Sequence, residues 1–284
     1  MDTRTPGSAT SATPVATAAP AAPAAAFAAI MNAHRSIRAY LERPVAPGLI
    51  DSVLEQALAG TSSSGNLNLV SVVKTQDIER KRLLFELHGQ QPMILQAPLV
   101  LTFCADTFRT RQWLALRRAR PGFADLVSWH TAAFDALILA QTAALAFESH
   151  GLGICYMGTT LFSMRGIADL LEFPPNCLPA TSLVVGWPAE APAQRDRLPR
   201  AAWIHDERYQ RPTAADIEAR FGEREHRGRE RYLAMGPEMA AAWQEQGIET
   251  LAQYYTSKLK YDPDRFAAFS ADIEALLRER GFLA

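Results

Sequence analysis

The stretch MNAHRSIRAYLERPV, Met31 to Val45, sets an imidazole, two guanidiniums and a hydroxyl around one apolar residue: His34, Arg35, Ser36 and Arg38 flank Ile37. If a helix ends at Ala33, the polar side chains can converge on one ligand while Ile37 anchors the backbone. Fixed cationic forks beside a hydroxyl and an imidazole suit an anionic, ring-bearing ligand. Taken alone, the same residues read equally well as a solvated basic turn. The rest of the chain decides between the two.

Outward from this stretch the chain is ordinary globular protein. It has 284 residues, 48% hydrophobic and 21% charged, with a net charge of -1. No global field draws it to nucleic acid or an anionic membrane, so an anion site must be built locally. Three cysteines, Cys104, Cys155 and Cys177, are odd in number and too widely spaced for a metal motif, which fits a reducing, cytoplasmic setting. Residues 1–26 are Ala, Pro, Thr and Ser with one Asp and one Arg, a composition expected to form a disordered tail. The tail lacks the basic start and leucine-rich run of a secretory signal.

After the tail, Phe27–Ala33 is expected as a short helix. Pro47–Ala59 repeats apolar residues at helical spacing, with Pro at its start and Gly60 after its end. Leu69–Lys74 reads as a strand, Asp77–Leu87 as a helix, and Ala97–Cys104 as a strand covered on both faces. Leu126–His150 is the longest helical pattern and is apolar nearly all round. Asp135, Gln141 and Glu148 interrupt it, so a buried core helix with a dimer contact is expected rather than a membrane span. Ser163–Leu171 reads as a helix and Thr181–Trp187 as a strand. From Ala214 the chain is charged and helical, over 217–230, 237–246 and 263–280. The run RFGEREHRGRER there is a solvated helix rather than a nucleic-acid patch. Strands alternating with helices give an α+β or α/β sandwich.

Three later stretches bear on a ligand. In Ser62-Ser63-Ser64-Gly65-Asn66, small side chains let backbone N–H groups approach a ligand, although a flexible linker would look the same. Gly151-Leu152-Gly153-Ile154-Cys155-Tyr156-Met157-Gly158-Thr159 fails as a dinucleotide fingerprint, because its third glycine comes late and a helix precedes it. What remains is a helix cap, a short strand and a bend at Gly158 that could expose a backbone N–H. Arg195 and Arg197, at i and i+2 in extended chain, point to one side and could clamp a phosphate; an ordinary surface loop is the alternative. The six histidines show no metal-ligand spacing, and no G-x-S-x-G elbow occurs.

As an ordered set, HRSIR, the serine loop, GLGxxYxG, GWPAE and RLP-x5-H resemble the flavin-dependent nitroreductase family, over about Phe27–Tyr209, and are most similar to its NADPH-preferring, oxygen-insensitive branch. The resemblance implies an α+β fold: an α/β/α sandwich with a mostly antiparallel sheet, in a domain-swapped homodimer with FMN at the subunit interface. It implies a core over 27–212 and a helical C-terminal extension over 213–284, packed on the core or on the partner subunit. His34, Arg35, Ser36 and Arg38 match the opening FMN motif, and Ser62, Ser63 and Ser64 a second flavin loop supplied by the other subunit. Gln90 matches a glutamine near the ring. Tyr156, Gly158 and Thr159 lie in the segment whose backbone N–H faces the ring. Arg195 and Arg197 match a phosphate clamp, and His205 and Tyr209 a structural close of the core. Lys258 stands where relatives place an arginine for the 2′-phosphate of the nicotinamide dinucleotide, a point charge in place of a fork.

The sequence departs from the pattern at Asn68, usually glutamine, at Thr159, a second glycine in the nearer branch, and in a longer insertion over 221–247. The implied activity is two-electron reduction of small-molecule nitroaromatic or quinone acceptors by NADPH or NADH through FMN, with no protein acid or nucleophile required. A flavin reductase, a dehalogenase or flavin-cleaving relative, and a flavin-binding protein without turnover are the alternatives.

Overall fold

A computed structural model describes residues 21–283. Helices α1 (Ala21–Ala33) and α2 (Pro47–Ala59) lead into strand β1 (Val70–Thr75), followed by α3 (Ile78–Leu87) and the single turn α4 (Met93–Gln96). Strand β2 (Leu99–Asp106), α5 (Phe108–Leu116), α6 (Leu126–Ser149), β3 (Gly153–Tyr156), α7 (Met164–Leu170) and β4 (Cys177–Gly186) complete the sheet region. Four helices close the chain: α8 (Ala214–Leu233), α9 (Pro237–Glu245), α10 (Leu251–Tyr255) and α11 (Pro263–Glu279).

The chain divides into a unit ending at His34 and a second unit from Arg35 onward. In the first, α1 begins at Ala21, not Phe27, so the part of the expected tail over 21–26 is helical. Alanine carries the highest helix propensity, and Pro23 sits in the first turn, where its missing N–H costs nothing. The remainder of that expected tail lies outside the described residues.

In the second unit the four strands are ordered β1-β2-β4-β3, each pair antiparallel. β2 is buried along its whole length, as its apolar run requires. Its alternate residues serve two layers. Leu99, Leu101 and Phe103 join Leu183, Val185 and Ile154 beneath α2 and α6. Val100 joins Val184, Cys155, Ile37 and Tyr40 against α3, α4 and α7. β4 starts at Cys177 rather than Thr181. Pro179 falls inside it, and the register slips there, with Phe103 opposite Thr181 but Cys104 opposite Pro179. A bulge admits a residue that has no N–H to donate.

Helix α6 packs its alanines Ala136, Ala140, Ala143 and Ala144 into the first layer. Its opposite side carries a stripe of exposed Val127, Phe134, Leu137 and Ile138. Among the described residues it is the one helix long and apolar enough to cross a membrane, and its packing against α2 and the sheet accounts for that composition. At the other end of the chain, Leu276 and Leu277 of α11 and the following Phe282 pack with Met164, Ala168 and Cys177 on the sheet region. Residues of α8, α9 and α10 form their own cluster around Trp243 and Tyr254.

Candidate functional site

The residues after His34 run as an extra edge on β3. Ser36 bridges Ile154 in parallel, and Ile37 N donates to Ile154 O at 2.9 Å. The segment then crosses the end of β4: Leu41 N donates to Trp187 O and Ala189 N to Ala39 O, each at 2.9 Å. Glycine is required at 153, where a Cβ would lie 2.6 Å from Ile37 Cγ1. The buried Ile37 thus anchors the backbone as expected, and alternation turns Arg38 outward.

Glu190 locks this strand to the chain that follows GWP. Its carboxylate accepts from Arg38 N and, at 3.1 Å, from Ala39 N. The Arg35 guanidinium donates to Pro192 O at 3.3 Å. One carboxylate therefore ties the basic motif to the segment bearing Arg195 and Arg197. Arg38 and Ser36 also border the Cys155 thiol. Burial pushes that thiol's pKa up, and the Arg38 charge and a hydrogen bond from Ser36 partly oppose the rise.

The segment after β3 is a pinned turn. Met157 N donates to Ser182 O at 2.9 Å, and Thr160 Oγ1 returns to Met157 O at 2.7 Å. Between them Gly158 is exposed, and a Cβ built there would meet nothing within 4 Å. The Tyr156 hydroxyl donates to Gln141 on α6 at 3.2 Å, and burial raises its pKa to about 12. Thr159 Oγ1 lies 2.8 Å from Nδ1 of His88, which is fully buried, and 3.2 Å from Gln91 Nε2.

The other expected residues sit differently. Gln90 turns back to Glu86 at 2.8 Å, and its neighbour Gln91 is the glutamine that reaches the Thr159 turn. Ser63 bonds the buried Asp135 of α6 at 2.6 Å and accepts from Asn68 N at 2.8 Å, while Ser62 and Ser64 are exposed. The serine loop is thus held on the α2–α6 layer, on the opposite sheet face from Ile37 and Tyr40. Arg195 and Arg197 are exposed, with Arg197 Nη1 donating to Arg195 O at 3.0 Å. Asp196 pairs with Arg231 of α8 at 3.7 Å rather than with its neighbouring arginines. Lys258 is exposed and lines an open hollow of about 670 Å³ with Gln246, Gln253, Ser257 and Asp262, none of them an expected cofactor residue. His34 closes the first unit, its N–H donating to Met31 O at 3.3 Å. His205 and Tyr209 stack with centroids 4.4 Å apart.

Four residues outside the expected set organise the rest: Glu190, Asp135, His88 and Gln91. Only Asp135 carried a sequence signal, as an acid in the middle of an alanine-rich helix. Among the described residues no His, Cys, Asp or Glu cluster could hold a metal ion.

Residues 31–187 match the family model described as the nitroreductase family. The chain belongs to the nitroreductase family. It is 39% identical over 180 residues to a Bacillus subtilis protein named FMN reductase [NAD(P)H], covering 62% of this chain and 71% of that one. It is 32% identical over 194 residues to the oxygen-insensitive NADPH nitroreductase of Salmonella typhimurium, covering 68% and 78%. A Bacteroides fragilis oxidoreductase crystal structure superposes with a TM-score of 0.81 at 37% identity, covering 90% of this chain and all of that one. The nitroreductase α+β fold expected from the ordered motifs is the fold observed.

Proposed function

We propose that this nitroreductase is an FMN-dependent NAD(P)H oxidoreductase that reduces nitroaromatic or quinone-type acceptors by ping-pong hydride transfer in a cytoplasmic homodimer. The observation that carries the reading is the junction of the 35–41 strand, the 187–197 segment and the pinned Gly158 turn. There Ser36 bridges Ile154 of β3, the strand that leads into the open backbone at Gly158, and Arg35 bonds the segment that carries Arg195 and Arg197. A phosphorylated, ring-bearing cofactor calls for this donor set, so the residues present fit FMN.

In that assignment Arg35, Arg195 and Arg197 hold the phosphate, and Ser36 the ribityl chain. The flavin, when bound, supplies hydride acceptance and donation. Arg38 places a cation where negative charge develops on the reduced ring. Gly158 lets the backbone approach the ring without a side chain in between. Ser62, Ser63 and Ser64 lie on the far layer of their own chain, and Asp135 ties Ser63 to the same helix that bears the exposed Val127–Ile138 stripe. Pairing of two such stripes covers the apolar face and offers each loop to the partner's site. Gln91, rather than the expected Gln90, reaches the Gly158 turn, and Lys258 would meet the nucleotide's phosphate.

Steady-state NADPH and NADH oxidation by the FMN-loaded chain, with menadione or nitrofurazone as acceptor, tests the reading. Parallel-line initial-rate patterns are expected. FMN binding without turnover would leave a flavin carrier instead.

A further inference from the structure

The Thr159 hydroxyl sits in a hydrogen-bond network whose proton positions can be worked out. Gln91 Nε2 lies 3.0 Å from His88 O and 3.2 Å from Thr159 Oγ1. A carbonyl can only accept, so this amide atom is the nitrogen, and Gln91 donates to Thr159. His88 Nδ1 lies 2.8 Å from the same hydroxyl oxygen. The ring is fully buried, and its Nε2 has no partner. Burial lowers its pKa to about 4, so one nitrogen carries the single proton of a neutral ring.

Two tautomers remain. A proton on Nε2 leaves an N–H buried without an acceptor, and orphaned donors of that kind are rare in folded proteins. A proton on Nδ1 is used at once, in a hydrogen bond to Thr159, and leaves only a lone pair unfilled. The second arrangement gives Thr159 two donors, one from His88 and one from Gln91. Both hydroxyl lone pairs are then occupied, and the hydroxyl hydrogen must point elsewhere. Thr159 is half-buried, next to the open Gly158.

We infer that His88 and Gln91 are positioning residues that make Thr159 a donor-only hydroxyl, directed at an acceptor atom on the heteroaromatic edge of the bound cofactor. This deepens the FMN reading and rests on it. A methyl-bearing hydroxyl whose lone pairs are spent cannot accept from the ring. It therefore favours the ring form that presents a bare nitrogen or oxygen at that edge.

The test uses the full-length chain labelled with ¹⁵N-histidine, with and without FMN, alongside FMN titrations of Thr159→Val and Thr159→Ser. His88→Asn serves only to assign the His88 signals. Expected are a His88 ring protonated at Nδ1, FMN affinity retained in Thr159→Ser, and affinity about tenfold weaker in Thr159→Val, the loss of one hydrogen bond. The flavin absorption band shifts in the valine variant alone. A ring protonated at Nε2 overturns the inference, as does a valine variant that binds FMN with wild-type affinity and spectrum. A wild-type chain that takes up no FMN removes the flavin reading and the ligand half of the inference. The tautomer in the same sample would then show whether the hydrogen-bond assignment stood.

Discussion

Replacing Gly153 by alanine tests whether the close approach of β3 and the 35–38 strand is what builds the site. The added Cβ would lie 2.6 Å from Ile37 Cγ1, 2.9 Å from its Cβ and 3.1 Å from its Cγ2. Ordinary carbon contacts are about 3.5–4.0 Å, so the strand must retreat by roughly 1 Å. Ile37 cannot rotate away, because it is buried among Tyr40, Cys155 and Met157. Overpacking of this kind costs about 1–3 kcal/mol, which for a chain of this size lowers the melting temperature by roughly 2–6 °C. The retreat also strains the Ile37–Ile154 hydrogen bond and moves Ser36 and Arg38, so FMN affinity falls at least about tenfold. Thermal unfolding followed by circular dichroism and FMN fluorescence quenching read the two effects separately. Gly153→Ala with wild-type melting temperature and FMN affinity would refute the reasoning.

Gly158→Ala gives the complementary pattern: with nothing within 4 Å of the new methyl, stability stays within about 0.5 kcal/mol while FMN titration shows weaker binding. Arg38→Ala removes a charge-assisted contact of about 1.5–3 kcal/mol and weakens FMN binding by roughly one to two decades; undiminished occupancy counts against the assignment. Asp135→Ala strips the acceptor from Ser63 Oγ and Leu69 N, and urea denaturation should show a loss of about 3 kcal/mol. His88 has a folded pKa of about 4, below the 6.5 of a free imidazole. Its contribution is complete above pH 6.5 and is lost as pH falls toward 4, by up to about 3 kcal/mol. Urea midpoints at pH 7 and 4.5 should therefore diverge more in the wild type than in His88→Gln; equal slopes would sink this account.

Much of the fold was legible because periodicity is local. Pro47–Ala59 was bounded to the residue by Pro at its start and Gly60 after it, and Leu126–Ser149 was placed to within one residue by its apolar run and the Gly151 that breaks it. Two of the elements that escaped, Met93–Gln96 and Leu251–Tyr255, are too short for a period to show. The helical start at Ala21 was hidden by a composition shared between disorder and strong helix formers. In the site, Ile37 as anchor and Gly158 as open backbone followed from residue type alone. The partners of Thr159 did not, since His88 is 71 residues away and Gln91 is 68, and only the sheet brings them together. For the same reason the choice between Gln90 and Gln91 could not be made from spacing: both follow α3, and a left-handed backbone at Gln90 (φ 56°) sends it away from the turn. Glu190 was quoted within GWPAE without a role, because its task is to accept two N–H groups from residues 151 and 152 positions earlier.

In the proposed function, side chains of the Arg35–Arg38 strand and the open backbone at Gly158 hold FMN and tune it for paired-electron exchange. Anaerobic NADPH titration of the FMN-incubated protein, followed by its visible absorption spectrum, tests this most directly. One flavin per chain, bleached by one equivalent of NADPH, is the predicted result. A protein that stays colourless after incubation with FMN would contradict it.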